Sequence, residues 1–288
     1  MTIAQPCLAV DGGGTHCRFA LMWQGQRHEV QGSGANVTTD LARALEVLRA
    51  GFAALADRAG VGLNDFNAIP AYLGLAGVID ADTGARVAQA LPFTSLRVDE
   101  DRPAALIGAL GDAFGSIAAV GTGSFLGRAD DDGVRFIGGH GLVLGDEASG
   151  AWLGRAALAA SLRAQDGIGP DSAFLTDVRG RMGGVAGVIT FARRADPAQF
   201  GALAPEVASA AASGDAVARD LMRQGAGYLA QGLQALGWAG GERLCLLGGL
   251  GPSYAPWLPA GMQSALSPPA GTALDGALRL AAQLAEAG

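Results

Sequence analysis

Charged residues, aromatic residues and basic clusters are all scarce in this sequence. Of its 288 residues, 16% are charged and 6% are aromatic, and the net charge is −7. Lysine and arginine never form a run, whereas nucleic-acid and anionic-membrane surfaces depend on such clusters. We therefore expect neither nucleic acid nor membrane as a partner. Any bound anion must be held locally, by backbone N–H groups or by a metal ion.

Cysteine is also rare, and its spacing excludes several kinds of site. Cys7, Cys17 and Cys245 are scattered and form neither a CxxC motif nor a Cys/His cluster. This disfavours structural zinc, an iron–sulfur cluster and a disulfide framework, and predicts small buried side chains in strands. The N-terminus lacks a signal peptide, and no stretch approaches the ~18 consecutive apolar residues of a membrane span. These features predict a soluble protein of a reducing compartment, the cytoplasm.

What the sequence does contain is an α/β pattern that occurs twice. Residues 7–34 read as three strands around a glycine turn, followed by alternating helices and strands up to residue 111. Residues 116–136 repeat the strand, glycine turn and strand, with Gly121 placed 109 residues after Gly12. We predict two duplicated α/β domains, 1–113 and 114–288, with a ligand cleft between the copies.

The second predicted domain carries a mostly helical insertion. Helical sequence begins near residue 145, and residues 197–237 read as two amphipathic helices divided at 213–215. A late apolar strand at 243–251 and a last helix from about Thr272 complete the second domain. The prediction leaves open that this last helix packs on the first domain.

The first glycine turn places one acid, Asp11, directly before Gly12, Gly13, Gly14 and Thr15. Glycines let backbone amides approach an anion, and successive N–H groups form a nest for phosphate oxygens. A carboxylate beside phosphate makes sense if Mg²⁺ lies between them and contacts the carboxylate through water, because Mg²⁺ takes few carboxylates and keeps several waters. The alternative is an ordinary glycine hairpin in which Asp11 bonds to its own turn.

Two further glycine segments suggest parts of the same site. The second nest comprises Gly121, Thr122, Gly123 and Ser124. Gly248 and Gly249 follow the late strand, where the backbone either passes beneath an adenine or ribose or simply connects strand to helix.

Two groups of acidic residues each allow a structural and a functional interpretation. Asp99, Glu100 and Asp101 stand between a strand and a helix, and Asp146 and Glu147 precede another helix. Such acids cap helices and complement the helix dipole. Alternatively, one of the first group accepts a proton from an attacking hydroxyl, and one of the second binds sugar hydroxyls.

Taken together, these motifs resemble a known family. The segments are Asp11–Thr15, GSGAN (32–36), VDEDRPAAL (98–106), GTGS (121–124), GGHGLVLGDEASGAWLGRAAL (138–158), LAPEVASAAASGD (203–215) and LLGGLG (246–251). In this order they resemble the BadF/BadG/BcrA/BcrD-type ATPases, and within them the N-acetylglucosamine and glucosamine kinases of the actin/hexokinase/Hsp70 superfamily.

The resemblance implies two ribonuclease-H-like domains in an actin-like ATPase fold that closes over ATP and sugar. Asp11 matches the acid associated with Mg²⁺, and residues 12–15 and 121–124 match the two phosphate loops. Gly248 and Gly249 match the adenosine motif. Asp101 falls where the family has its catalytic base. Asn36, Thr122 and Asp146, with Asp101, match sugar-binding positions.

The expected activity is therefore phosphorylation of an amino sugar by ATP, N-acetyl-D-glucosamine to its 6-phosphate first and D-glucosamine next. A regulatory or sensor ATPase, or a kinase of another sugar, is the alternative. His140 replaces a usual tryptophan and Glu100 a frequent asparagine, which leaves the sugar open. The cysteine positions do not fit the dehydratase activators of the family. Homodimers are common among its members, which leaves a homodimer open.

Overall fold

The structure, a computed structural model, describes residues 5–287. Within this range the chain forms nine strands and twelve α-helices. The strands are β1 (Cys7–Gly12), β2 (His16–Trp23), β3 (Gln26–Ser33), β4 (Ala71–Leu75), β5 (Leu96–Asp99), β6 (Gly115–Val120), β7 (Ser124–Asp130), β8 (Gly133–Gly138) and β9 (Leu244–Leu247). The helices are α1 (Leu41–Ala59), α2 (Ala81–Gln89), α3 (Arg102–Leu110), α4 (Gly150–Gln165), α5 (Ala173–Arg181), α6 (Gly184–Ala192), α7 (Pro197–Gly201), α8 (Ala204–Ala212), α9 (Ala216–Ala235), α10 (Gly251–Tyr254), α11 (Ala260–Ser264) and α12 (Ala273–Ala287).

The chain divides into two compact units. The first comprises Met1–Ala113 and Pro269–Gly288, and the second comprises Phe114–Pro268. The second unit thus ends before the predicted boundary at residue 288, because the C-terminal segment belongs to the first unit. The physical reason is the apolar face of α12, on which Leu274 and Leu278 join the cluster formed by Cys7, Ala9 and Tyr72.

The first unit is a five-stranded sheet in the order β3-β2-β1-β4-β5. β1, β2 and β3 are antiparallel neighbours, and β4 and β5 continue the sheet parallel to β1. The glycine turn allows the β1–β2 hairpin, whereas the parallel pairs need crossovers, which α1 and α2 supply. The carboxyl ends of β1, β4 and β5 consequently lie at one edge of the sheet.

Both faces of this sheet are covered. α1 and α2 cover the face of the sheet that holds Phe19 and Leu73, and Phe52 of α1 packs in the same cluster. α3 and α12 contact each other, and α12 packs on β1 and β4 at the opposite face. α1 begins at Asp40, whose carboxylate accepts the Arg43 N–H at 2.9 Å, and ends at Gly60 with φ 67°. An aspartate at the N-cap and a glycine with positive φ after the last turn are the residues that these positions favour.

The second unit repeats the strand arrangement of the first. Its sheet has the order β8-β7-β6-β9, in which β6–β7–β8 is an antiparallel meander and β9 lies parallel to β6. Helices α4 to α9 occur between β8 and β9, and α4, α8 and α9 contribute to one apolar cluster with β6 and β7. The predicted duplication of the α/β pattern is therefore confirmed.

The helical insertion differs in detail from the prediction. Residues 197–237 form three helices rather than two, because α7 ends at Gly201 and a new helix starts with Pro205 in its first turn. All three cysteines are buried and free, in β1, β2 and β9, as predicted. Between residues 5 and 287, no helix is long and apolar enough to span a membrane.

The dependence of the first unit on α12 is testable with a pair of substitutions. Leu278 is 1% exposed, whereas Gln283 on the same helix is exposed. Leu278→Ala should lower the free energy of unfolding by about 2–5 kcal/mol through lost burial and a cavity. Gln283→Ala should change it by less than about 0.5 kcal/mol. Urea denaturation measures both, and equal effects would contradict the packing described.

Candidate functional site

The first unit places two acids at the carboxyl edge of its sheet. Asp11 is paired in register with Gly74 of β4, and Gly74 is paired with Asp99 of β5. Asp101 follows two residues after the end of β5. A Cβ on Gly74 would lie 3.5 Å from the Cα of Asp101, so the small residue lets the start of α3 approach the sheet. In parallel α/β sheets this edge is the usual ligand-binding edge.

Of the three consecutive acids, Asp101 is the one without a counter-ion. The Asp99 carboxylate lies 2.8 Å from Arg97 Nη2, and that of Glu100 accepts a hydrogen bond from Arg102 Nε at 2.8 Å. Among the described residues Asp101 forms no ion pair, and its side chain does not cap α3 although it occupies the N-cap position. The capping interpretation therefore does not account for its carboxylate.

The environment of Asp101 suits a proton acceptor. Burial raises the pKa of its carboxyl to about 6, and the negative charge of Asp11 adds to the shift. A carboxylate with a pKa raised toward neutrality takes up a proton more readily than an ordinary one, and such groups cluster at functional sites.

Asp11 is also buried but is paired with a cation. Its carboxylate accepts a hydrogen bond from Arg18 Nη1 at 3.2 Å, across the β1–β2 hairpin. Burial raises the pKa of Asp11, and the ion pair with Arg18 opposes this shift. The sequence prediction missed Arg18, although the hairpin register places it directly opposite Asp11.

The first glycine loop is fixed through its carbonyl groups. Ala35 N–H donates to Gly13 O at 3.1 Å, and Gly34 allows the 32–36 segment to lie against Gly14, since a Cβ there would clash with Gly14 O. Within residues 5–287, the N–H groups of Gly14 and Thr15 have no backbone partner, and both residues are exposed. The loop therefore presents free donors, as a phosphate nest requires.

The second glycine loop is built in the same way. Gly150 N–H donates to Gly121 O at 2.8 Å and Ala151 N–H to Thr122 O at 3.2 Å, which ties the loop to the start of α4. The Thr122 hydroxyl is exposed. Ser124 is buried instead, and its hydroxyl donates to Glu147 O at 2.6 Å. Ser124 thus has a structural partner, while Thr122 is available to a ligand.

Asp146 lies directly behind this second loop. It is 7% exposed, adopts φ 56°, and accepts the Gly141 N–H at 3.1 Å. A Cβ on Gly123 would lie 2.8 Å from Asp146 Oδ2, so the glycine is what allows the carboxylate to approach the loop. Burial raises the pKa of Asp146. The cap of α4 is Ser149, which accepts the Trp152 N–H at 3.0 Å, so capping does not explain Asp146 or Glu147.

The remaining predicted residues are divided between the units. Asn36, in the first unit, uses its side-chain oxygen within a turn, where it accepts the N–H groups of Thr38 and Thr39 at 3.1 Å. Gly248, in the second unit, has φ 78°, and a Cβ on it would clash with Val120 O, whereas Gly249 has open space. Gly248 thus anchors the connection after β9 to the strand that precedes the second loop.

The sequence also missed a tyrosine in the second unit. Tyr228 of α9 is half-buried, and a Cβ on Gly138 would lie 3.0 Å from its phenol oxygen. Burial raises the pKa of Tyr228, and the negative charges of Glu147 and Asp146 add to the shift. No local motif marks Tyr228, because it reaches this region from a helix far along the chain.

The donor set fits a hydrated Mg²⁺ better than a transition metal. Residues 5–287 contain no group of three or more His, Cys, Asp or Glu side chains that could hold a metal ion. Mg²⁺ does not need such a group, since it binds through one or two carboxylates, phosphate oxygens and water. Asp11 is the side chain that meets this description in the first unit.

Each unit has a further surface cavity that is not lined by these residues. One of about 570 Å³ is lined by α6 and its neighbours, including Met182, Phe191 and Arg194. The other, of about 750 Å³, is lined by Trp23, Asn64 and Asn67 among others. Neither contains the paired carboxylate and glycine-loop chemistry, so the candidate site is defined by the acids and loops.

Comparison with known proteins places this arrangement in a family context. Residues 8–255 match the family model of the BadF/BadG/BcrA/BcrD ATPase family. The chain is 30% identical over 282 residues to the glucosamine kinase GspK of Vibrio cholerae, with 95% of each chain covered.

Solved structures show the same fold. A candidate N-acetylglucosamine kinase from Chromobacterium violaceum superposes with a TM-score of 0.85 at 32% identity, covering 97% of this chain and 99% of that one. A second such candidate, from Porphyromonas gingivalis, has a TM-score of 0.72 at 19% identity, covering 96% and 99%, and shows the fold alone. The predicted mixed α/β architecture of the actin-like ATPase type is confirmed.

The pKa of Asp101 can be measured directly. In a carboxyl-carbon NMR titration, Asp101 should change protonation near pH 6, being protonated below and ionised above. Asp11→Asn should lower the midpoint, because it removes a nearby negative charge, but burial should keep it above the ordinary value. A midpoint near that of an exposed aspartate would contradict the described environment.

Gly248 and Gly249, which follow β9, allow a paired test of the backbone next to the second loop. Gly248→Ala should cost roughly 1–3 kcal/mol of stability, because an L side chain is strained at this φ and meets Val120. Gly249→Ala should change stability by less than about 0.5 kcal/mol. Thermal or urea unfolding compares them, and a reversed order would contradict the assigned backbone.

Proposed function

Because the chain belongs to the BadF/BadG/BcrA/BcrD ATPase family, we propose that it is an ATP- and Mg²⁺-dependent kinase whose acceptor is an amino sugar. The relatives at 30% and 32% identity, over nearly the whole chain, are a glucosamine kinase and a candidate N-acetylglucosamine kinase. They support N-acetylglucosamine and glucosamine as the acceptors to test first. We take the 6-hydroxyl of the sugar as the acceptor oxygen.

The observation that carries the proposal is the state of Asp101. It is half-buried, lacks an ion-pair partner among the described residues, and has its pKa raised to about 6. An acid without a counter-ion, next to a second buried acid, lowers the stability of the fold. Acids in such costly environments cluster at functional sites. As the general base, it would accept the proton of the sugar hydroxyl while that oxygen attacks the γ-phosphorus of ATP. The new bond joins sugar oxygen to phosphorus, the bond to the bridging oxygen breaks, and ADP leaves.

The other groups have supporting roles. The two glycine loops, residues 12–15 and 121–124, would hold the phosphates, chiefly through the exposed N–H groups of Gly14, Thr15 and Thr122 and the hydroxyls of Thr15 and Thr122. Asp11 would hold Mg²⁺ through water, and the ion, when bound, would neutralise phosphate charge. Asn36 and Asp146 would bind sugar hydroxyls, Asn36 through its amide donors and Asp146 through its carboxylate. Gly248 and Gly249 would lie against the adenosine.

The test is an ADP-release assay with Mg-ATP and either N-acetylglucosamine, glucosamine, glucose or no sugar. One of the amino sugars should stimulate turnover. Asp101→Asn should lower kcat by roughly 10²–10⁴-fold, because the amide cannot accept the proton, while ATP affinity stays similar. Since the base must be ionised, wild-type kcat/KM for the sugar should fall as the pH drops through about 6.

Two outcomes would reject the proposal. A slow turnover indifferent to every sugar would instead favour a regulatory or sensor ATPase. An Asp101→Asn variant with wild-type sugar-dependent turnover would remove Asp101 from the chemistry. Asp112→Asn is a suitable control, because Asp112 is an exposed acid of the same unit that pairs with Arg279.

A further inference from the structure

The phenol hydroxyl of Tyr228 lies close to the segment 138–147, which carries Asp146. A Cβ on Gly138, where β8 ends, would lie 3.0 Å from the phenol oxygen. The same Cβ would lie 3.4 Å from Ser124 O, and the Ser124 hydroxyl donates to Glu147 O at 2.6 Å, so the phenol lies at the strand that adjoins the other end of the segment. The ring packs against the apolar cluster of the second unit, so the position of the hydroxyl is fixed by α9.

The hydroxyl of Tyr228 is half-buried and forms no hydrogen bond within the described part of the chain. The neighbouring carboxylates of Asp146 and Glu147 differ from the phenol in their hydrogen bonding. Asp146 already accepts the Gly141 N–H at 3.1 Å, and an ionised carboxylate can only accept hydrogen bonds. A phenol both donates and accepts. Tyr228 is therefore a side-chain donor placed beside acceptor-only groups.

This difference bears on the two acceptor sugars. The protonated amine of glucosamine only donates hydrogen bonds, and carboxylates satisfy it well. The acetamide of N-acetylglucosamine also presents a carbonyl oxygen, which needs a donor. A carboxylate cannot serve that oxygen, and a buried acceptor left unsatisfied is costly.

We propose that Tyr228 is a specificity-determining residue of the acceptor site, whose hydroxyl donates to the acetamide carbonyl of an N-acetylated sugar. This inference rests on the proposed function. It assigns Tyr228 to the discrimination between acetylated and free amino sugars, and not to the transfer of the phosphoryl group.

The test compares kcat/KM for N-acetylglucosamine and glucosamine in the wild type and in Tyr228→Phe. The ratio of N-acetylglucosamine to glucosamine should fall about 3- to 10-fold in the variant, the effect of one neutral hydrogen bond. KM for ATP should stay within about twofold, because no phosphate contact is assigned to Tyr228. A melting curve verifies that the variant is folded.

Tyr254→Phe is the matched control. Tyr254 belongs to the same unit and packs on α9, where a Cβ on Gly225 would lie 2.5 Å from its hydroxyl. This hydroxyl is fully buried and lacks a partner among the described residues, so it cannot reach a sugar. The control should leave the ratio of the two sugars unchanged.

Each other result overturns the inference. An equal loss for both sugars would mean that Tyr228 only supports the 138–147 segment. An unchanged ratio, or a wild type that does not bind N-acetylglucosamine, would remove the assigned contact. A wild type whose turnover no sugar stimulates would reject the proposed function itself, before any variant is compared, and the inference would fall with it.

Discussion

The burial of two neighbouring carboxylates at one sheet edge is the constraint on which the first unit depends. Asp11 and Asp101 repel each other, and both lose hydration. Arg18 compensates Asp11, whereas Asp101 has no ion-pair partner among the described residues. The cost must be met by the packing of the sheet, which is covered on both faces by helices. A rigid, well-buried scaffold is thus what permits an electrostatically unfavourable edge.

Carbonyl groups of both glycine loops accept hydrogen bonds from neighbouring backbone N–H groups. In each loop, neighbouring N–H groups occupy carbonyl oxygens: Ala35 donates to Gly13, and Gly150 and Ala151 donate to Gly121 and Thr122. With the acceptors used internally, the exposed surface of each loop is left with donors. Glycines at the close approaches make this possible, since a Cβ on Gly34 would clash with Gly14 O. Polarity of the loop surface therefore follows from how its carbonyl groups are used.

Much of this organisation could be predicted from sequence, for identifiable reasons. Strand–glycine-turn–strand patterns are local, so the two meanders and both loops were predictable. Asp101 was distinguished from Asp99 and Glu100 only through the family resemblance. The ion pairs of Arg97 with Asp99 and of Arg102 with Glu100 join residues two apart, but they depend on side-chain orientations that the sequence does not give. The sequence likewise left open whether Asp146 or Glu147 caps α4, whereas the cap is Ser149.

The residues that the sequence did not reveal are those that arrive from elsewhere in the fold. Tyr228 approaches Gly138 only because α9 packs on β6 and β7. The packing of α12 on the first unit, which the sequence left open, likewise depends on the apolar face of β1 and β4. Arg18 is the intermediate case, since the hairpin register would have paired it with Asp11.

The origin of α12 at the far end of the chain has a consequence for biosynthesis. The sheet of the first unit is formed by residues that are synthesised well before α12, yet the apolar face formed by Cys7, Ala9 and Tyr72 is covered by Leu274 and Leu278. This face stays uncovered until α12 has been synthesised. Domains that complete themselves only through distant segments fold slowly and expose surface on which nascent chains associate. A substitution that displaces α12 therefore disturbs the unit whose sheet was synthesised first.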